Sequence, residues 1–304
     1  MNSLNDLIGL TNEKRKARIA ISACKVTGET FPHTLITSIG GLGKTTLCRA
    51  IANELGSFFV EREAFSLRNP EQISDLLITS NRDANAAKKK LFLFLDEVHR
   101  LTLKMQEVFY YPMKEWKICT RSGYRSINHF TLVAATTRKD MLDDASFVQR
   151  FENQWEIKRY SVTDICSIIR KLFIKENISA DEYVIRLVAE RCLGVPRQAS
   201  NLAIKMRNYV LSQNRRNLTA DDVNNVCNIE HIDKIGLSEI HQRYLYELRN
   251  SSVPKGIKSI AGKLSLHEDT VVGTIEPILL SLGFIDICKG RILTEAGKKH
   301  LGIT

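Results

Sequence analysis

The sequence predicts an α/β fold: a parallel sheet with helices on both faces, then a small helical domain, then a C-terminal winged helix. Three observations predict it. Short apolar runs alternate with helical patterns over the first half of the chain, as βαβ units require. Residues 161–229 keep helical spacing and show no strand pattern. The chain closes with Phe284-Ile285-Asp286-Ile287, a Lys289-Gly290 turn and Arg291-Ile292-Leu293, a hairpin after helices. The expected boundaries are 1–156, 157–230 and 231–304.

Length and composition fit this organisation. A chain of 304 residues has room for two or three domains. Its 43% hydrophobic and 26% charged residues are the balance of a globular protein with a buried core. No apolar stretch reaches about 18 residues, so no membrane-spanning helix is expected. Met1-Asn2-Ser3-Leu4-Asn5-Asp6 has neither the basic region nor the apolar core of a secretory leader. Seven cysteines form no Cys-x-x-Cys pair, which argues against a zinc ribbon or a disulfide framework and for a reducing, cytoplasmic setting. Lys and Arg number 44 against 34 Asp and Glu, a net +10. That balance favours acidic partners, nucleic acid first, or serves solubility alone.

The elements follow in order. Lys14 to Ala23 reads as a helix with a basic face. Thr34-Leu35-Ile36-Thr37 is a short buried strand running into Gly40-Gly41-Leu42-Gly43. Thr45 to Leu55 is a helix that stops at Gly56. Phe58-Phe59-Val60 is the next strand, and Glu71 to Ile78 a helix entered after Asn69-Pro70. Asn81 to Lys90 is polar, ends in three lysines, and reads as a surface loop. Leu91-Phe92-Leu93-Phe94-Leu95 and Phe130 to Ala135 are continuous apolar runs, the pattern of parallel strands buried on both faces. A helix over Ser238–Arg249 and two more precede the final hairpin.

Ser38-Ile39-Gly40-Gly41-Leu42-Gly43-Lys44-Thr45-Thr46 sits between a strand and a helix, where a phosphate-binding loop belongs. Such a loop turns backbone N–H groups and a helix N-terminus toward phosphate oxygens. Lys44 would reach the β- and γ-phosphates of ATP, and the Thr45 hydroxyl would hold Mg²⁺. The first glycine of the consensus is Ser38 here. Asp96 ends the apolar strand, positioned to hold the Mg²⁺ water shell. Glu97, one residue on, is placed to polarise a water for attack on the γ-phosphate. ATP hydrolysis is the favoured reading.

Several segments then resemble one family. Gly43-Lys44-Thr45-Thr46-Leu47, Leu95-Asp96-Glu97-Val98-His99-Arg100-Leu101, Tyr111-Pro112-Met113 and Phe130-Thr131-Leu132-Val133-Ala134-Ala135-Thr136-Thr137-Arg138 are similar to the RuvB family, AAA+ motors of Holliday-junction branch migration. Gly194-Val195-Pro196-Arg197, Gly236-Leu237-Ser238-Glu239 and Glu276 to Phe284 continue the likeness through all three domains. The resemblance implies roles that composition does not supply. Thr137 matches the position that senses the γ-phosphate, and Arg150 the finger arginine offered to a neighbouring subunit's ATP. Ile8 and Gly9 match the adenine-pocket segment; Tyr160 and Arg197 match nucleotide contacts of the small domain, with Gly41 and Thr46 in the loop. Arg291, with Lys289 beside it, matches a wing that touches the DNA backbone. Residues 116–129, with Lys117, Arg121 and Arg125, match a hairpin that docks a RuvA-like junction-binding partner. A homo-oligomeric ring, a hexamer, is implied as well.

The departures lie mostly outside the phosphate site. The 13-residue step from Thr137 to Arg150 is one longer than the family pattern. A second wing arginine is replaced at Asp286 or Ile287, and the 116–129 hairpin is short. Two readings stay open: an ATP-driven translocase of branched DNA, and an ATP-switched DNA-binding recruiter, as from a mobile element. A clamp-loader-like ATPase is disfavoured by the C-terminal winged helix.

Overall fold

The apolar runs of the first half become one five-stranded parallel sheet. The structure, a computed structural model, describes residues 3–120, 123–142, 146–249, 251 and 253–303. By its internal contacts the chain divides into two units, residues 1–38 with 42–158, and residues 39–41 with 159–304.

In the first unit, helix α1 (Thr11–Thr27) ends at Gly28, whose φ of +74° closes the last turn. Strand β1 (Thr34–Thr37), helix α2 (Lys44–Glu54), strand β2 (Phe58–Glu63), helix α3 (Pro70–Ala86) and strand β3 (Leu91–Asp96) follow. Short helices α4 (Leu103–Glu107) and α5 (Tyr110–Glu115) lead into an antiparallel hairpin, β4 (Lys117–Thr120) and β5 (Gly123–Ser126). Strands β6 (Phe130–Thr136) and β7 (Asn153–Glu156) complete the set. The order is β2-β3-β6-β1-β7, parallel throughout. Strand β6 is buried along its whole length and β3 at every position but Asp96, which is why both read as unbroken apolar runs.

One expectation is corrected in this unit, and one strand is added. Residues 81–86 are not a loop: they continue α3, because Leu77, Asn81 and Ala84 recur on one buried stripe and carry a polar sequence along with them. Strand β7 went unread because only Trp155 among its four residues is buried; it pairs with β1 on one side alone, at the sheet edge.

The second unit holds two apolar cores. Helices α6 (Val162–Lys175), α7 (Glu182–Glu190), α8 (Pro196–Ser212) and α9 (Ala220–Ile229) close around Ile169, Val188, Met206 and Val223. Helices α10 (Glu239–Arg249), α11 (Ile257–Leu264), α12 (Glu268–Thr270) and α13 (Glu276–Ser281), with hairpin β8 (Ile285–Ile287) and β9 (Arg291–Leu293), surround Tyr244, Leu245 and Leu279. A π-turn over Val271–Ile275 joins α12 to α13. Helix α14 (Glu295–His300) follows the hairpin, an element the sequence reading did not include. No helix among the described residues is long and apolar enough to cross a membrane.

Candidate nucleotide site

Strand β1 sits inside the sheet, between β6 and β7, so the loop that leaves it emerges at the carboxyl ends of the strands, where open α/β sheets place ligands. Ser38 N–H donates to the Thr136 carbonyl at 3.2 Å, extending the ladder one step past the strand. Gly41 and Gly43 then take φ values of +84° and +87°, a region that favours glycine. Leu42 between them is buried and anchors the turn. The first helical bond of α2 runs from Leu47 N–H to the Gly43 carbonyl at 2.9 Å. Lys44, Thr45 and Thr46 therefore occupy the positive end of that helix.

Lys44 is only 6% exposed, and its ammonium donates to Ser38 Oγ at 3.3 Å. The serine that replaces the first glycine is thus not inert: it gives the buried lysine an acceptor.

Asp96 Oδ1 accepts from the Glu97 N–H at 2.9 Å. Burial pushes the Asp96 carboxyl up, opposed by the Lys44 charge. Glu97 is left-handed, with φ +51°. Its Oε2 accepts from Thr137 Oγ1 at 3.1 Å and from Thr137 N–H at 3.3 Å, and lies 3.2 Å from His99 Nδ1. Burial alone would raise the Glu97 carboxyl; the His99 hydrogen bond, the Lys44 charge and Thr137 together hold it down to about 2. The carboxylate is ionised at neutral pH and held by these partners.

The structure thus brings Glu97 together with Thr137, with Lys44 and Asp96 coupled to them through charge. It adds His99, to which sequence reasoning gave no role: 8% exposed, its Nδ1 lies 3.0 Å from Thr136 Oγ1 as well as beside Glu97. The signal was present, since His99 stands two residues after Glu97 and three past the end of a buried strand.

The other expected residues of the first unit sit on separate segments. Ile8 and Gly9 occupy the link between the Leu4–Asp6 turn and α1, fixed by Leu4 N–H to Glu54 Oε1 (2.8 Å) and by the Lys14 ammonium to the Leu7 carbonyl (2.9 Å). Arg150 ends the turn Val148–Arg150, its guanidinium 4.1 Å above the centre of the Tyr110 ring. In the second unit, Tyr160 N–H donates to the Gly194 carbonyl at 2.9 Å, and Arg197 N–H to the Gly41 carbonyl at 3.3 Å. A Cβ on Gly41 would meet the Arg197 Cβ at 2.9 Å, so position 41 needs glycine for space as well as for φ.

The wing differs from expectation. Lys289 is exposed at its tip. Arg291 is not presented outward: its Nε donates to Glu276 Oε1 at 2.8 Å and its Nη2 to Glu276 Oε2 at 3.2 Å. Tyr244 OH donates to the same carboxylate at 2.8 Å. The Glu276 side chain is 2% exposed and that of Arg291 16%. A buried carboxylate needs a charge-assisted partner, and that need claims the arginine expected on DNA. Lys117 and Arg125 are exposed on the β4–β5 hairpin; Arg121 lies outside the described residues.

The comparisons with known proteins agree in outline. Residues 1–157 match the model of the Holliday junction DNA helicase RuvB P-loop domain, and residues 234–302 that of the RuvB C-terminal winged helix domain. The chain is similar to the RuvB subunit of the Holliday junction branch migration complex from Thermosipho melanesiensis, 32% identical over 99% of this chain and 97% of that protein. The corresponding subunit of Pseudothermotoga lettingae is 31% identical over 99% of this chain and 89% of that one. The solved Thermotoga maritima RuvB branch migration motor superposes with a TM-score of 0.89 at 29% identity, covering all of this chain and 98% of that one. With a glycine-turned phosphate loop that carries a buried lysine, a carboxylate pair at the end of β3, two strands from β1 in the same sheet, and relatives matched over nearly their whole length, the chain belongs to the RuvB family.

Proposed function

We propose that this protein is an ATP-hydrolysing motor of the branch-migration type, a helicase that moves duplex DNA in recombination and repair. The observation that carries the reading is the Lys44–Asp96–Glu97–Thr137 constellation in a chain of this family. Lys44 and the first turn of α2 would bind the phosphates, with Gly41, Gly43 and Thr46 shaping the loop. Thr45 and Asp96 offer oxygen donors of the kind Mg²⁺ prefers. That ion, when bound, would neutralise charge on the phosphates. Glu97 would take the proton of the attacking water, with Thr137 and His99 keeping its carboxylate in place. Ile8, Gly9, Tyr160 and Arg197 are the proposed remaining nucleotide contacts.

Arg150 would serve a neighbouring copy's γ-phosphate in a homo-oligomeric ring, a hexamer. Residues 1–156, 157–230 and 231–304 would act as engine, lid and DNA-facing head, in the cytoplasm. Lys289 would touch duplex phosphates, and the β4–β5 hairpin would meet a RuvA-like partner. The recruiter reading draws on one observation, that the Arg291 guanidinium is paired with the buried Glu276 carboxylate.

Measuring ATP turnover with a four-way junction, with linear duplex and without DNA tests the two. The motor requires markedly stronger stimulation by the junction than by duplex. Equal responses to both would favour the recruiter.

A further inference from the structure

Arg150 is held in an unusual way. Its guanidinium carbon lies 4.1 Å above the Tyr110 ring centre, while its Nε is buried and has no hydrogen-bond partner among the described residues. A buried guanidinium donor without an acceptor is destabilising, and an arginine does not lose its charge to relieve it.

The ring beneath it is firmly seated. Tyr110 stacks on Phe147 at 6.4 Å and 24°. Phe147, fully buried, meets Phe151 edge-on at 5.2 Å and Phe109 at 6.2 Å. Phe147 and Phe151 flank the turn that carries Arg150, so the arginine and its platform are fixed by one aromatic cluster.

Stacking and hydrogen bonding use different parts of a guanidinium. The face meets the negative face of an aromatic ring, whereas the five N–H donors point outward in the plane. A carboxylate partner would occupy those donors; a ring leaves the two terminal Nη groups, beyond the buried Nε, unspent for a planar, bidentate approach to phosphate oxygens.

We propose that Tyr110 is the positioning residue for Arg150, its ring fixing the guanidinium plane so that the donor edge is presented to the γ-phosphate held by a second copy of this chain. The inference rests on Arg150 acting as the finger in the proposed ring. The contribution of Tyr110 lies in orienting the cation before the two copies meet, and in keeping its donors unspent.

The test replaces Tyr110 by phenylalanine and then by phenylalanines carrying successively more ring fluorines. These withdraw charge from the ring face and keep its shape. Turnover number is read beside KM and nucleotide affinity. Phenylalanine should retain most of the turnover. Progressive fluorination should lower kcat stepwise, by about 2- to 30-fold in total, with KM and affinity unchanged. Tyr110→Leu should match the most fluorinated ring. A kcat flat across the fluorinated series overturns the proposal, whatever Tyr110→Leu does to folding. Arg150→Ala separates the two levels. If that variant keeps parental turnover, the finger reading fails and takes this inference with it. If it is inactive while the fluorinated series is flat, only the role of Tyr110 falls.

Discussion

Replacing Arg291 by alanine distinguishes a DNA contact from a structural one. The substitution leaves Glu276, 2% exposed, with Tyr244 OH as its remaining hydrogen-bond donor among the described residues. Breaking a buried ion pair by removing one partner costs about 3–5 kcal/mol. For a winged-helix portion of this size, about 4 kcal/mol lowers the unfolding midpoint by roughly 15–30 °C. The assay pairs urea unfolding with DNA binding across a salt series. We expect a large loss of stability, partly restored by adding Glu276→Gln, because a neutral amide no longer needs the cation. The reasoning is refuted if Arg291→Ala keeps parental stability yet flattens the salt dependence by about one log–log unit, the mark of a lost phosphate contact.

Three further outcomes follow from the structure. Ser38→Gly removes one acceptor of the Lys44 ammonium and should tighten ATP binding by about 3-fold or more, since a bond to a charged group no longer has to yield; unchanged or weaker binding in a nucleotide-displacement titration would show that Ser38 does not compete. Arg150→Ala and Glu97→Gln should each lose at least ~10²-fold in turnover while binding ATP, and mixing the two should restore ATPase at mixed junctions; no recovery at any ratio would rule out catalysis shared between copies. Acidification should destabilise the fold through two histidines. Burial holds both His33 and His241 at about 4, against the Met113 hydrogen bond at His33 and the Asp233 charge at His241. Because these folded values lie below the ordinary one, their contribution is complete above about pH 6.5 and falls as the pH drops toward 4. The loss reaches about 2 kcal/mol each by pH 5, and a urea midpoint constant from pH 7 to 5 would contradict it.

His33 also shows why a site is harder to read than a fold. Its Nδ1 accepts from Leu132 N–H at 2.9 Å, and its Nε2 lies 3.3 Å from the Met113 carbonyl. Those partners are 99 and 80 residues away, and no local pattern reports them. Strands β3 and β6 were legible because burial on both faces writes itself into every residue. Strand β7 and the second half of α3 were not, since one edge contact and one narrow stripe leave the composition polar. At the site, the phosphate loop and the Asp96-Glu97 pair were readable because their geometry is local. The link from Glu97 to Thr137 spans 40 residues, and only the family resemblance anticipated a role for Thr137. The resemblance marks Arg291 as a DNA contact, whereas the structure pairs it with Glu276. The sequence marks an arginine in the wing, but not that Glu276, fifteen residues earlier, would be buried beside it.

The left-handed backbone at Glu97 bears on how this protein could be improved or could decay. A non-glycine residue there carries strain on the order of 1–2 kcal/mol, and glycine or asparagine would relieve it. The same side chain offsets that strain: its carboxylate accepts from Thr137 Oγ1 and Thr137 N–H and lies beside His99, groups that glycine would leave without this acceptor. Strain in the backbone and hydrogen bonds of the side chain are thus tied together at one residue, and a substitution at 97 exchanges one for the other. A library screened only for folding should therefore keep glutamate or glutamine at 97 more often than glycine.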